Sequence, residues 1–226
     1  MLIKSKPILK IAGWQKVSLI DYPGRVASVI FLAGCNMCCH YCHNRNILDA
    51  RQNRLPFGRV LQIIKQRRAW VDAVVVSGGE PTLYPGLIEV LTSLKELGVL
   101  VKLDTNGTRP SVVREVVELG LVDYVALDVK ATATKYPLVT GMAIDSVLQT
   151  AEYLKRQNRI PYQFRTTLSP YLNHADLLEM GKTIVCGAKT WQIQQCRCEN
   201  AYSSNDVRKI ASQLEGYAEH IVVKGI

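Results

Sequence analysis

Runs of Val, Ile and Leu alternate along this chain with amphipathic stretches, a pattern that belongs to parallel sheets assembled from strand–helix units. Six such units can be read. Strands are expected at Val26–Leu32, Ala73–Ser77, Leu100–Asp104, Tyr124–Asp128, Gln163–Leu168 and Thr190–Gln194. Helices are expected at Gly58–Trp70, Gly86–Leu97, Ser111–Leu119, Ile144–Arg156, His174–Ile184 and Asn205–Tyr217. Pro56, Pro85 and Pro110 stand before or at helix starts, and Gly98 and Gly120 follow helix ends. Ser111 and Asn205 read as N-caps. A complete eight-unit barrel takes about 250 residues. Six units in 226 residues therefore predict an α/β fold, a partial, laterally open (β/α)6 barrel of parallel strands. The apolar run Ile221–Val223 could add an edge strand. No linker divides the chain, so residues 1–226 are expected as a single domain, with 1–25 an N-terminal extension leading into the first barrel strand.

In such a barrel, functional side chains collect where strands end, because the strand-to-helix loops all open on that face. The first strand is followed by Gly34-Cys35-Asn36-Met37-Cys38-Cys39-His40-Tyr41-Cys42 and the second by Gly78-Gly79-Glu80-Pro81. The third ends in Asp104-Thr105-Asn106-Gly107 and the fourth in Asp128-Val129-Lys130; the fifth contains Arg165 and the sixth ends in Gln194-Gln195. These polar endings are expected to share one site.

Seven cysteines are present, four of them at positions 35, 38, 39 and 42. That clustering suits metal or cluster ligation better than a disulfide framework. Cys35, Cys39 and Cys42 would give a four-iron cluster three thiolates and leave one iron open. A structural zinc site closes with four ligands, and Cys38, His40 or His43 could supply the fourth. Fully ligated electron-transfer clusters also use cysteine runs, but have no need of a polar pocket.

Composition adds exclusions. Hydrophobic residues make up 48% of the chain, yet no stretch approaches the roughly 18 to 20 apolar residues of a membrane helix. The segment Met1–Lys10 carries Lys4, Lys6 and Lys10 without an apolar core, unlike a secretory signal, so a cytoplasmic protein is expected. The net charge of +9 would attract nucleic acid, an acidic protein or an anionic substrate alike. Its densest stretch, Arg51, Arg54, Arg59, Lys65, Arg67 and Arg68, reads as a solvated helix face.

The run C-x-x-x-C-x-Tyr-C, with Tyr41 before the last cysteine and Gly-Gly-Glu-Pro at the next strand, resembles the radical S-adenosylmethionine (SAM) superfamily. Gly13-Trp14-Gln15-Lys16-Val17-Ser18-Leu19-Ile20-Asp21-Tyr22-Pro23-Gly24, together with Asp104-Thr105-Asn106-Gly107 and Asp128-Val129-Lys130, resembles the glycyl-radical-enzyme activating branch. Within it the chain is most similar to the anaerobic ribonucleoside-triphosphate reductase activating proteins. The resemblance covers roughly residues 11–196.

It implies one 4Fe-4S cluster on Cys35, Cys39 and Cys42, with SAM chelating the open iron and cleaved reductively to abstract hydrogen from a glycine of a partner. Tyr41, Gly78, Gly79, Glu80, Asp104, Asp128, Lys130, Arg165 and Gln194 would border SAM. Gly78, Gly79 and Glu80 would meet its amino group, Lys130 and Arg165 its carboxylate, and Asp104, Thr105 and Asp128 would hold a monovalent cation. The implied partners are a large glycyl radical enzyme, anaerobic ribonucleotide reductase first, and a low-potential donor such as flavodoxin or ferredoxin. Nucleic acid and membrane partners are not expected.

Blander roles stand beside these: Asp104 and Asp128 as helix N-terminal acids, Arg165 as a structural ion-pair partner, and Gln194 and Gln195 as packing or surface residues. A radical SAM enzyme acting on a small molecule or RNA, and a non-catalytic cluster or zinc protein, are the competing functions. Cys38 creates a second register, Cys35-x-x-Cys38-x-x-x-Cys42, and only the superfamily spacing and Tyr41 favour Cys39. Cys196 and Cys198 depart from the branch; they read as small buried hydrophobes or a thiol pair, and Cys186 as packing.

Overall fold

The computed structural model describes residues 11–48 and 55–226. The lysines of the first ten residues, and Arg51 and Arg54 of the basic stretch, lie outside the described residues. Strands occur at β1 Ile11–Ser18, β2 Ala27–Leu32, β3 Ala73–Gly78, β4 Leu100–Thr105, β5 Tyr124–Asp128, β6 Tyr162–Leu168, β7 Ala188–Gln195 and β8 Ala218–Lys224. Helices occur at α1 Arg45–Leu48, α2 Phe57–Gln66, α3 Leu87–Glu96, α4 Pro110–Glu118, α5 Tyr136–Thr140, α6 Asp145–Arg156, α7 His174–Met180 and α8 Ser204–Ser212. The strands follow chain order in an open, mostly parallel sheet, an α/β fold. Among the described residues no helix is long and apolar enough to cross a membrane.

The chain gathers into two compact units whose segments interleave. Among the described residues, one is made of 11–36, 44–48, 55–104 and 116–123, the other of Met37–His43, Thr105–Glu115 and Tyr124–Ile226. In the first unit β2, β3 and β4 are parallel, with Val29 beside Val75 and Val75 beside Lys102. Ala73 to Val76 are all buried, as expected of a strand covered on both faces. Helix α3 buries Leu87, Val90, Leu91 and Leu94, the spacing of one helical face. The first unit also contains a strand the periodicity did not predict. β1 runs antiparallel to β2, Trp14 opposite Ile30, and most of its side chains keep partial exposure, so it carries no apolar run.

In the second unit β5 to β8 are parallel. Trp191 is fully buried and its indole N–H donates to Thr166 Oγ1 at 2.9 Å across β6 and β7. The run at Ile221 is part of β8 and pairs with β7, as expected of an edge strand. Two N-caps shift. Ser111 and Asn205 lie inside α4 and α8, and the cap of α8 is Ser203, whose hydroxyl accepts from the Asp206 N–H while Asp206 accepts from the Ser203 N–H. The capping box needs an acid three residues after the cap, and Asp206 gives that only to Ser203. The helix expected to run to Ile184 ends earlier as α7 and continues as a π turn over Gly181–Val185.

Candidate active site

Strand β3 ends in a turn pressed against the chain's own backbone. Gly78 adopts φ +116°, open to glycine and strained for any other residue. The Gly79 N–H donates to Leu32 O at 2.9 Å and the Glu80 N–H to Gly34 O at 2.8 Å. A Cβ added at Gly78 would fall on the Leu32 backbone, and one at Gly79 on the Gly34 carbonyl. The sequence reading gives these glycines to the approach of SAM; the structure gives their missing side chains to the segment that leads into Cys35. Asn44 joins the turn, its side-chain amide donating to Gly78 O at 3.0 Å.

Glu80 is 2% exposed and caps the short 3-10 turn Pro81–Leu83, accepting from Thr82 N at 3.0 Å and Thr82 Oγ1 at 2.5 Å. In the same unit, Lys102 and Asp104 sit two apart on one face of β4 and form an ion pair of 2.5 Å, with Ser77 donating to the other carboxylate oxygen at 3.1 Å. Lys102 is 1% exposed. A lysine of its own strand thus pairs with Asp104, the residue the resemblance offers to a cation. The i, i+2 spacing of Lys102 to Asp104 in an expected strand is the sequence signal for this pair.

The second unit carries the part of the cysteine loop from Met37 to His43, and Cys35 belongs to the first. The Cys42 N–H donates to Cys39 O at 3.1 Å, closing a turn over Cys39-His40-Tyr41-Cys42, and the Cys38 N–H donates to Thr140 O at 2.9 Å at the end of α5. Cys39 is buried and Cys38 exposed, a difference spacing alone does not give. None of Cys35, Cys39 and Cys42 is part of a disulfide. Among the described residues no group of three or more His, Cys, Asp or Glu side chains is drawn together as a ready-made metal cage. The fit to an iron–sulfur cluster therefore rests on the donor chemistry, three soft thiols in one short loop. The lining agrees: the Tyr41 and Tyr136 hydroxyls are buried without a hydrogen-bond partner.

Both phenols act electrostatically on Lys130, as does Cys39. Lys130 donates to Asp128 Oδ2 at 3.0 Å, and Arg165 Nε donates to the other oxygen, Oδ1, at 2.8 Å. The three side chains are 16%, 28% and 19% exposed for Lys130, Asp128 and Arg165. Burial alone would raise the Asp128 pKa, but Arg165 and Lys130 pull it well below the usual carboxylate range. Burial likewise would lower the Lys130 pKa, and Asp128 first, then Tyr41, Cys39 and Tyr136, raise it well above the ordinary lysine value. Register explains the meeting: β5 and β6 pair Asp128 with Arg165 directly.

The remaining expected residues spread more widely. Thr105 Oγ1 accepts from the Gly107 N–H at 3.0 Å. Gln194 Oε1 accepts from Gln192, which accepts from Gln163, which accepts from the Tyr124 hydroxyl, a polar chain crossing β5, β6 and β7. Gln195 donates to Tyr202 O at 2.8 Å. Cys196 and Cys198, just past β7, are joined by a disulfide, and Cys196 Sγ lies 4.0 Å from His43 Nε2. Cys196 is buried, as expected of a small packed side chain, but its sulfur is bonded to that of the half-buried Cys198, and Cys186, expected in packing, is exposed.

A profile of the radical SAM superfamily matches residues 29–184. A Methanocaldococcus jannaschii protein, classed provisionally as a glycyl-radical enzyme activating enzyme, is 33% identical over 233 residues, covering 96% of each chain. The pyruvate formate-lyase-activating enzyme of Streptococcus mutans is 31% identical over 180 residues, covering 73% of this chain and 68% of that one. Among solved structures, Streptococcus suis SuiB bound to S-adenosylmethionine has a TM-score of 0.70 at 17% identity, covering 87% of this chain. This chain spans about half of SuiB, 47% of its length, and the likeness is one of fold.

Proposed function

The chain belongs to the radical SAM superfamily and is an enzyme of that type, and from that membership we propose that it activates a glycyl-radical enzyme, with anaerobic ribonucleotide reductase as the first candidate partner. The observation that carries the reading is the relationship over 96% of both chains to a protein placed among such activating enzymes.

Cys35, Cys39 and Cys42 would hold a 4Fe-4S cluster in this reading. Bound together, the cluster and SAM supply reductive carbon–sulfur cleavage and a 5'-deoxyadenosyl radical. The chain's own residues bind and orient. Lys130 and Arg165 present two cations held at fixed spacing by Asp128, and a carboxylate arriving beside them meets donors that need no reorganisation. Tyr41, buried in the ligand loop, brings a hydroxyl with no partner of its own. Gly78, Gly79 and Glu80 meet the methionine end of SAM, Glu80 steadied by Thr82, and Gln194 borders the channel from β7. A monovalent cation at Asp104, Thr105 or Asp128 would share its carboxylates with Lys102 and Lys130. The remaining parts are residues 1–226 as one radical SAM domain, a flavodoxin- or ferredoxin-type donor, and a cytoplasmic setting.

The test is anaerobic: reconstituted protein, SAM and a low-potential reductant are mixed with candidate glycyl-radical enzymes, and the partner is examined by electron paramagnetic resonance. A glycyl radical on one partner, with 5'-deoxyadenosine formed, is the expected result. Cleavage of SAM without a radical on any partner, but with a small molecule or RNA altered, would give the activity to the competing class.

A further inference from the structure

Cys196 and Cys198 are bonded to each other only two positions apart, at the exit of β7. A bond of that span ties no distant elements together and closes almost no loop in the unfolded chain, so stapling is not what it contributes. Its two sulfurs differ in access: Cys196 is 3% exposed, while Cys198 is half-buried. Arg197, between them, donates its backbone N–H to His43 Nε2 at 3.3 Å, and His43 directly follows Cys42 in the chain. The short disulfide ring and the cysteine loop thus share one hydrogen bond.

We propose that Cys196 and Cys198 form a reversible dithiol–disulfide site that couples the thiol redox state to the cysteine loop through Arg197 and His43. The coupling half rests on the reading that Cys42 ligates the cluster; the disulfide half does not. For reduction, a thiolate of an external dithiol, small molecule or protein, attacks the accessible Cys198 sulfur. The Cys196–Cys198 bond breaks, a mixed disulfide forms on Cys198, and Cys196 leaves as thiolate and takes a proton. The reductant's second thiol then displaces Cys198, which takes the other proton. The pair gains two electrons and two protons, and the reductant becomes a disulfide. With the ring open, the segment that positions the Arg197 N–H against His43 is free to move.

The full-length reconstituted protein is equilibrated anaerobically across poises of reduced and oxidised dithiothreitol, alkylated and peptide-mapped, with iron content and 5'-deoxyadenosine formation measured on the same samples. The expected result is a Cys196–Cys198 disulfide at the oxidising end, two alkylated cysteines at the reducing end, unchanged iron, and severalfold slower SAM cleavage in the disulfide form. The double variant Cys196→Ala, Cys198→Ala should cleave SAM at the reduced-form rate whatever the poise. Alkylation of both cysteines at every poise overturns the site, as does stoichiometric zinc bound by the pair. A disulfide that forms without changing SAM cleavage or the cluster's electron paramagnetic resonance spectrum overturns the coupling. A protein that cleaves no SAM in either form refutes the cluster reading instead, and the peptide map alone then decides the disulfide.

Discussion

Gly79 has no room for a side chain, because the space a Cβ would take is occupied by the carbonyl of Gly34, the residue before Cys35. Substitution there acts first on the cysteine segment and only then on SAM. Gly79→Ala should therefore lower iron content after reconstitution, measured per chain; full iron with weakened SAM binding would show that the contact with Gly34 does not govern the cysteine segment. At the Asp128 triad the loss of one cation leaves the carboxylate still paired with the other. Arg165→Ala should weaken SAM binding by about 1.5–3 kcal/mol, the range for a hydrogen bond to a charged group, read from the SAM-induced change in the spectrum of the reduced cluster, while iron stays bound. An unchanged SAM affinity would remove Arg165 from the pocket. The Asp128–Arg165 pairing is the structural ion-pair role that the sequence left beside a SAM-facing one for Arg165, and it was legible because both are charged residues at the ends of neighbouring expected strands. That Gly79 is filled by backbone was not, since a glycine looks the same in sequence whether a ligand or the chain itself comes close.

At the scale of elements, β4 carries the least expected feature, a lysine sealed inside a strand. Lys102 is paired with Asp104 at 2.5 Å, the lysine side chain 2% and the acid 9% exposed. Breaking a buried pair by removing one partner leaves an uncompensated charge and costs about 3–5 kcal/mol, whereas replacing both by apolar residues of similar volume is often neutral. Lys102→Met alone should thus destabilise strongly, and Lys102→Met with Asp104→Leu should recover most of the loss in denaturant unfolding. Additive losses would show that the two residues are not coupled. Strands with buried apolar runs, such as Ala73 to Val76, were readable from sequence because burial on both faces imposes that composition. β1 was not, because it pairs through its backbone while Gln15, Lys16 and Val17 stay exposed. α5 escaped for another reason: with five residues it is too short to show a helical period.

The whole molecule combines interleaved units with a strong excess of positive charge, 28 Lys and Arg against 19 Asp and Glu. An α/β fold with a mostly parallel sheet was legible at this scale because its strand–helix alternation spans most of the chain; the division into units was not, because their segments are contacts distant in sequence. The charge bears on the partner. Long-range attraction speeds encounter with an oppositely charged protein and is lost as salt shortens the Debye length from about 10 Å at 0.1 M to about 3 Å at 1 M. Cleavage of SAM in the absence of a partner, driven by a small-molecule reductant, involves no such encounter. Across that range of salt, the rate at which a glycyl radical appears on the partner should fall by about tenfold or more, while uncoupled formation of 5'-deoxyadenosine changes little. Following both products in one salt series separates the possibilities. If the two rates fall together, salt is acting on the cluster or on SAM binding, and if neither falls, the positive charge has no part in bringing the two proteins together.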